Sequence, residues 1–220
     1  MKYAAPIAIG LLMFSSLPSM LSAAAKPKNA AKSATVSVNT PCDSCHGANG
    51  EGMAAAHVPR IAGQSAEYLK KQLDDYASGA RENPIMANFA KALSEAQREE
   101  FAKRYAAMSG PYLREPVPTP QELARGHQLA YQGDESRRVQ SCNGCHGPDG
   151  SGVAHAAPYI AGQSAEYIGS ALKAFQTGTR KNDAGELMRS VAMRLEDADI
   201  VAVSAYYANQ KLSNPSKEHP

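Results

Sequence analysis

The 220-residue chain has four cysteines, and they fall into two copies of one pattern, Cys42-Asp43-Ser44-Cys45-His46 and Cys142-Asn143-Gly144-Cys145-His146. Cys-x-x-Cys-His is the spacing for covalent attachment of a c-type haem. Two thiols three positions apart reach the two vinyl groups along one porphyrin edge, and the adjacent imidazole swings under the iron. Zinc held by two cysteine pairs is the competing chemistry. Zinc gives no reason for a histidine directly after both pairs, however, and 96 residues lie between Cys45 and Cys142. A thioredoxin-like pair would need a strand before the motif and a helix opened by it, and no strand pattern precedes either copy. Two covalently bound haem c groups are therefore expected, with iron as the metal.

The elements that must position these groups come in duplicate. Pro59-Arg60-Ile61-Ala62-Gly63-Gln64-Ser65-Ala66-Glu67-Tyr68-Leu69 recurs as Pro158-Tyr159-Ile160-Ala161-Gly162-Gln163-Ser164-Ala165-Glu166-Tyr167-Ile168, offset by 99 positions. The offset is 100 at the haem motifs and 102 later, where Met86, Ala90, Leu93 and Tyr105 align with Met188, Ala192, Leu195 and Tyr207. These slips place a one-residue deletion after the second motif and a three-residue insertion before Met188. Two domains on one plan follow.

Periodicity reads as helix throughout. Ser65 is an N-cap for a helix with Leu69, Leu73 and Tyr76 on one face and Gly79 as its stop, and Ser164, Ile168, Leu172, Phe175 and Gly178 repeat that scheme. Ser94 and Gln97 form a capping box before a stripe of Phe101, Tyr105 and Met108, matched later by Ile200, Val203 and Tyr207. Gly110 to Pro120, with prolines at 111, 116, 118 and 120, is a stiff, extended connector.

Each iron needs a second axial ligand or stays open for chemistry. Met86 and Met188 are the methionines related by the repeat, each in a loop after a Gly-x-Arg and each followed by Ala at +4 and Leu at +7. Met53 has Val153 as its counterpart and Met108 lies on a core stripe, so both read as packing residues. Met193 is the competitor, but its counterpart is Lys91, costly to bury on a distal haem face. His57 and His155 do not align in the repeat, His127 starts a helix and His219 sits in the tail. All four read as surface or loop residues.

Met1-Lys2-Tyr3, the apolar run from Ile7 to Leu21 and the small residues Ser22-Ala23-Ala24-Ala25 read as a secretory signal peptide, too short and interrupted for a good membrane span. Residues 26–40 read as a flexible leader and 213–220 as a tail. Residues 26–109 carry 11 Lys+Arg against 9 Asp+Glu, and 121–220 carry 10 against 11. Neither half has the basic field of a nucleic-acid binder.

The string Gly-His-Gln-Leu-Ala-Tyr-Gln-Gly-Asp (126–134), then Ser-Cys-Asn-Gly-Cys-His-Gly-Pro-Asp-Gly-Ser-Gly (141–152) and Ala-Pro-Tyr-Ile-Ala-Gly-Gln (157–163), resembles the second domain of the dihaem cytochrome c4 family. The resemblance covers about residues 41–210. It implies an all-α fold of two tandem class I cytochrome c domains, 41–109 and 121–212 around the 110–120 linker, packed about a pseudo-twofold axis. It implies thioethers at Cys42, Cys45, Cys142 and Cys145, proximal His46 and His146, and distal Met86 and Met188. Pro59 and Pro158 would orient the two imidazoles through their carbonyls. A class I domain normally opens with a helix, which the second half shows around Leu123, Gly126 and Tyr131; the first half has only Val36 to Pro41 there.

The implied role is a periplasmic carrier of single electrons, peripheral to the membrane at most, between a quinol-oxidising complex and a terminal oxidase. Two axial ligands leave no iron site for a substrate, so an electron-transfer protein rather than an enzyme is expected. The alternatives are a cytochrome subunit bound to a catalytic partner, such as a sulfide-oxidising flavoprotein, and a dihaem peroxidase. The domains are expected to pack with haem propionates near their interface, with Arg81 and Arg180 as partners for the propionates or as solvated surface groups.

Overall fold

The duplicated helix signals are obeyed residue by residue. In the computed structural model, which describes residues 42–154 and 156–211, Ser65 Oγ accepts from the Tyr68 amide (3.1 Å) to open α2 (Ala66–Ser78), which Gly79 stops in the left-handed region at φ 84°. Ser164 and Gly178 do the same for α7 (Ala165–Thr177), at 3.2 Å and φ 75°. The Ser94–Gln97 capping box opens α4 (Glu95–Ala106), and a second box, Thr119 with Glu122, opens α5 (Pro120–Tyr131). Short helices hold the motifs: α1 (Cys42–His46) and α6 (Asn143–His146). The methionines lie on α3 (Pro84–Ala92) and α8 (Leu187–Ala192), and the second repeat closes with α9 (Asp197–Ala208).

Within the first repeat α2 packs on α3 and α4; within the second α7 packs on α8 and α9, and α5 crosses α9. Gly126 permits that crossing, since a Cβ there would stand 2.5 Å from the Ala202 carbonyl oxygen. Leu129, Ile168, Leu172, Phe175, Leu195, Ile200, Val203 and Tyr207 form the second repeat's buried core. At its edge Asp199 accepts from Arg125 (2.7 Å) and Arg137 (2.5 Å), joining α9 to α5. The described residues contain no sheet, only isolated bridges. The signal segment, the leader, residues 36–41 where a first-domain opening helix would lie, and the tail all fall outside the described residues.

The repeats meet through equivalent residues and lie in one compact unit. Gln64 donates to the Tyr159 carbonyl (2.8 Å) and accepts from its amide (3.1 Å), while Gln163 makes the same pair with Arg60 (2.9 and 2.9 Å). Arg81 and Arg180 form a backbone bridge with each other, and each reaches the other repeat's tyrosine: Arg81 to Tyr167 (3.0 Å), Arg180 to Tyr68 (3.1 Å). Every partner lies 99 positions from its counterpart, so the contact follows the expected pseudo-twofold relation. The connector is strapped down as well: the Tyr112 and Tyr159 hydroxyls are 2.7 Å apart, the Arg60 guanidinium lies 4.5 Å over the Tyr112 ring, and Asn209 donates to the Pro116 carbonyl (3.1 Å).

Losing a buried hydrogen-bonding side chain leaves its partners unsatisfied at a cost of about 1–3 kcal/mol. Gln64→Ala and Gln163→Ala will therefore each lower the thermal midpoint, and the double variant will give a larger radius in solution scattering. A wild-type scattering curve of two independent beads would contradict this interface.

Candidate functional site

Both motif histidines are 7 % exposed. His46 Nδ1–H donates to the Pro59 carbonyl at 2.9 Å and His146 Nδ1–H to the Pro158 carbonyl at 2.8 Å. A carbonyl only accepts, so the proton is fixed on Nδ1 and Nε2 presents its lone pair. Burial pushes both imidazoles below the ordinary histidine range, against the opposing effect of the carbonyl, and they stay neutral. The approach of the prolyl carbonyl needs glycine at position 52, where φ is 84° and a Cβ would sit 2.6 Å from the Arg60 amide nitrogen. The Gly52 amide in turn donates to the His46 carbonyl (2.7 Å).

A second tether was not foreseen from the sequence. Tyr105 in α4 donates to Asp43 (2.5 Å), and Tyr207 in α9 donates to Asn143 (2.6 Å). The final helix of each repeat thus holds the second residue of its motif. The signal was present in the aligned tyrosines and in the short polar residue after each first cysteine.

In each motif the first cysteine is half-buried and the second exposed, and none is in a disulfide. Burial raises the Cys42 thiol and takes Cys142 up to about 11. Among the described residues no three His, Cys, Asp or Glu side chains gather as a metal site, so the cysteine pairs do not converge as zinc would require.

The methionines lie on helices, not in the expected loops. Asn83 and Pro84 start α3, with Asn83 Oδ1 accepting from the Met86 amide (2.9 Å), and a cap followed by proline is an ordinary helix start. Met188 is half-buried and packs, with Cys142, against the second repeat's core. Met193 follows the last residue of α8 and is 60 % exposed, in a shallow surface cleft with Glu186, Arg189, Ser190 and Arg194. Met53 is exposed rather than the packing residue expected, and Met108 is half-buried just beyond α4.

His57 is exposed, with Nδ1 3.3 Å from the Glu166 carbonyl across the interface. His127 does not start α5 but stands in its middle, exposed and stacked on Tyr131 at 4.6 Å. His155 and His219 lie outside the described residues.

Arg81 and Arg180 are not solvated surface groups. Arg180 is 8 % exposed and Arg81 half-buried, stacked over Phe175 (4.4 Å) and Tyr76 (4.7 Å). Both donate to Gln72 Oε1, at 3.2 and 2.7 Å. Burial disfavours an ionised Tyr167, yet these two guanidiniums hold its hydroxyl below the ordinary phenol range.

Two neutral imidazoles with oriented Nε2 lone pairs, two thiols beside each, and a half-buried thioether in each repeat fit one c-type haem per repeat. The cytochrome c family model matches residues 30–114 and 123–211. A thiosulfate dehydrogenase electron acceptor of Stutzerimonas stutzeri is 45 % identical over 168 residues, 76 % of this chain and 78 % of that protein. The reduced cytochrome c4 structure from Pseudomonas stutzeri superposes with a TM-score of 0.71 at 31 % identity, covering 77 % of this chain and 93 % of that one. A thiosulfate dehydrogenase (TsdBA) structure from Marichromatium purpuratum matches with a TM-score of 0.73 at 33 % identity; 79 % of this chain is covered, and it spans 37 % of that chain's length. The chain belongs to the cytochrome c family, as an all-α dihaem electron-transfer protein of the cytochrome c4 type with two covalently attached haem c groups.

Proposed function

We propose that this protein is a periplasmic one-electron carrier that takes electrons from a separate dehydrogenase, in the manner of a dehydrogenase's cytochrome subunit, and delivers them towards a terminal oxidase. Cys42 and Cys45 hold the first haem and Cys142 and Cys145 the second. His46 and His146 are the proximal ligands, and Met86 and Met188 the distal ones. The observation that carries the reading is the buried imidazole of each repeat, oriented through Nδ1 by a prolyl carbonyl; with the repeat-related thioether as the second ligand, no iron position is left for a substrate. Likeness to a protein named as the electron acceptor of thiosulfate dehydrogenase supports the choice of donor.

Bound haem supplies a one-electron iron couple whose ferrous state a thioether favours. The chain's own work is to keep that geometry the same in both oxidation states. The prolyl carbonyls fix the imidazole tautomers, Tyr105 and Tyr207 fix the motif helices, and the glutamine pairs hold the two repeats at a constant separation. Arg81 and Arg180 offer the interface a positive environment for haem propionates. The domains are 41–109 and 121–212 around the 110–120 connector, and the mature chain begins after a cleaved segment ending near residue 25. Among the described residues no helix is long and apolar enough to cross a membrane, and any membrane association is peripheral.

The similarity to cytochrome c4 proteins favours a second donor, a quinol-oxidising complex. Anaerobic stopped-flow mixing separates the two. Thiosulfate with catalytic thiosulfate dehydrogenase is expected to reduce both haems, two electrons per chain, faster than the quinol-oxidising complex does. Reduction by the quinol-oxidising complex alone would move the assignment to the respiratory shuttle.

A further inference from the structure

The two methionine arms are built differently. In the first repeat the arm closes on itself: Asn83 caps α3 on the Met86 amide with Oδ1 and accepts from the Ala87 amide through its carbonyl (2.8 Å). The second arm carries the three inserted residues and lacks such a cap. The residue before α8, Glu186, is held in the left-handed region at φ 55° and gives no side-chain capping bond. A non-glycine residue there is strained and persists only when its surroundings impose it.

Glu186 itself is held locally, its carboxylate accepting from Arg189 (3.3 Å), and the arm before it is held by the other repeat. Asp183 Oδ2 accepts from the amide of Arg189, the residue after Met188, at 3.1 Å. Its neighbour Asn182 is fastened to α2 of the first repeat at three points. Asn182 Nδ2 donates to Gln72 Oε1 (3.0 Å) and Asp75 Oδ2 (2.6 Å), and the Asn182 carbonyl accepts from Lys71 Nζ (2.8 Å). Arg180 Nε completes the set on Asn182 Oδ1 (3.0 Å). The arrangement has no mirror image. The positions in α7 equivalent to Lys71, Gln72 and Asp75 are Ser170, Ala171 and Ala174, which offer neither the charge nor the amide.

We propose that Lys71, Gln72 and Asp75 of the first domain are positioning residues for Met188 of the second, acting through Asn182 and Asp183. The first domain thereby sets how firmly the second iron keeps its thioether, while Met86 in the first is held by the Asn83 cap of its own helix. The two haems are then inequivalent in distal-ligand lability, and a partner that shifts the interface loosens the second haem selectively. The proposal rests on the reading of Met188 as the second distal ligand.

The test uses the full dihaem protein, reduced and exposed to carbon monoxide, with Met86→Ala and Met188→Ala as spectral references for an opened first or second iron. Haem content checks that each variant is assembled. Asn182→Asp removes both side-chain donations in an isosteric residue, and Gln72→Ala removes the acceptor. Each should raise carbon monoxide uptake at the second haem about tenfold, the scale of one lost charge-assisted hydrogen bond, with the first haem unchanged. Gln72→Glu, which still accepts from Asn182 and both arginines, should restore wild-type behaviour. Lys71→Ala, a surface change that spares the fold, should give a smaller rise at the same haem. Wild-type uptake in all three loosening variants, or equal loosening of both haems, would overturn the proposal. If Met188→Ala leaves the ferric far-red sulfur-to-iron absorption whole, the ligand reading itself fails, and the proposal with it.

Discussion

Met188→Ala protein, once reduced, will bind carbon monoxide at one of its two irons, and its ferric form will lose about half of the far-red sulfur-to-iron absorption. The potential of that haem will fall by on the order of 0.1 V, a fraction of the ~0.8 V that axial ligands command. Met188 is half-buried and packs against the same core as Cys142 of the second motif. Met193 lies beyond α8 with most of its side chain in solvent. Met193→Ala will therefore keep both the absorption and the potential, and will change stability by less than about 1 kcal/mol, as exposed substitutions do. Met86→Ala will open the first iron in the same way. Intact absorption in Met188→Ala would hand the ligand role to Met193.

Wild-type protein will keep two haems through acid–acetone extraction, and Cys142→Ala with Cys145→Ala will keep one. The second domain of that variant will lose its cooperative thermal transition. His146 is buried with its Nδ1 proton committed to Pro158, and in the proposed assembly a covalent haem adds its apolar surface to the second domain's core. Without the thioethers, chain entropy is no longer offset by that enclosed surface. The matching change at Cys42 and Cys45 will spare the second haem. Mass spectrometry and the pyridine haemochrome assay decide the count; one haem in the wild type, or haem that extracts freely, would refute the assignment.

The sequence by itself determined the chemistry and the local elements. Cys-x-x-Cys-His specifies thioether attachment and the proximal imidazole because reach along one porphyrin edge depends only on neighbouring residues. The caps at Ser65, Ser94 and Ser164 and the stops at Gly79 and Gly178 were legible for the same reason: each acts within one helical turn of itself. The repeat related Met86 to Met188 without coordinates.

Tertiary structure decided what depends on residues far apart in the chain. Gln72 sits in α2 among positions that read as a helix face, yet it is buried because Arg81, Arg180 and Asn182 converge on its oxygen. Nothing within a turn of Gln72 announces those partners, two of which come from the other repeat. The methionine arms, taken as loops from their Gly-x-Arg lead-in, are helices: Asn83 with Pro84 supplies a start for α3 that pairwise alignment does not weigh, and Asp183 holds the Arg189 amide within α8. Local signals encode elements, while the asymmetry between the two domains lies in contacts that form only when both have folded.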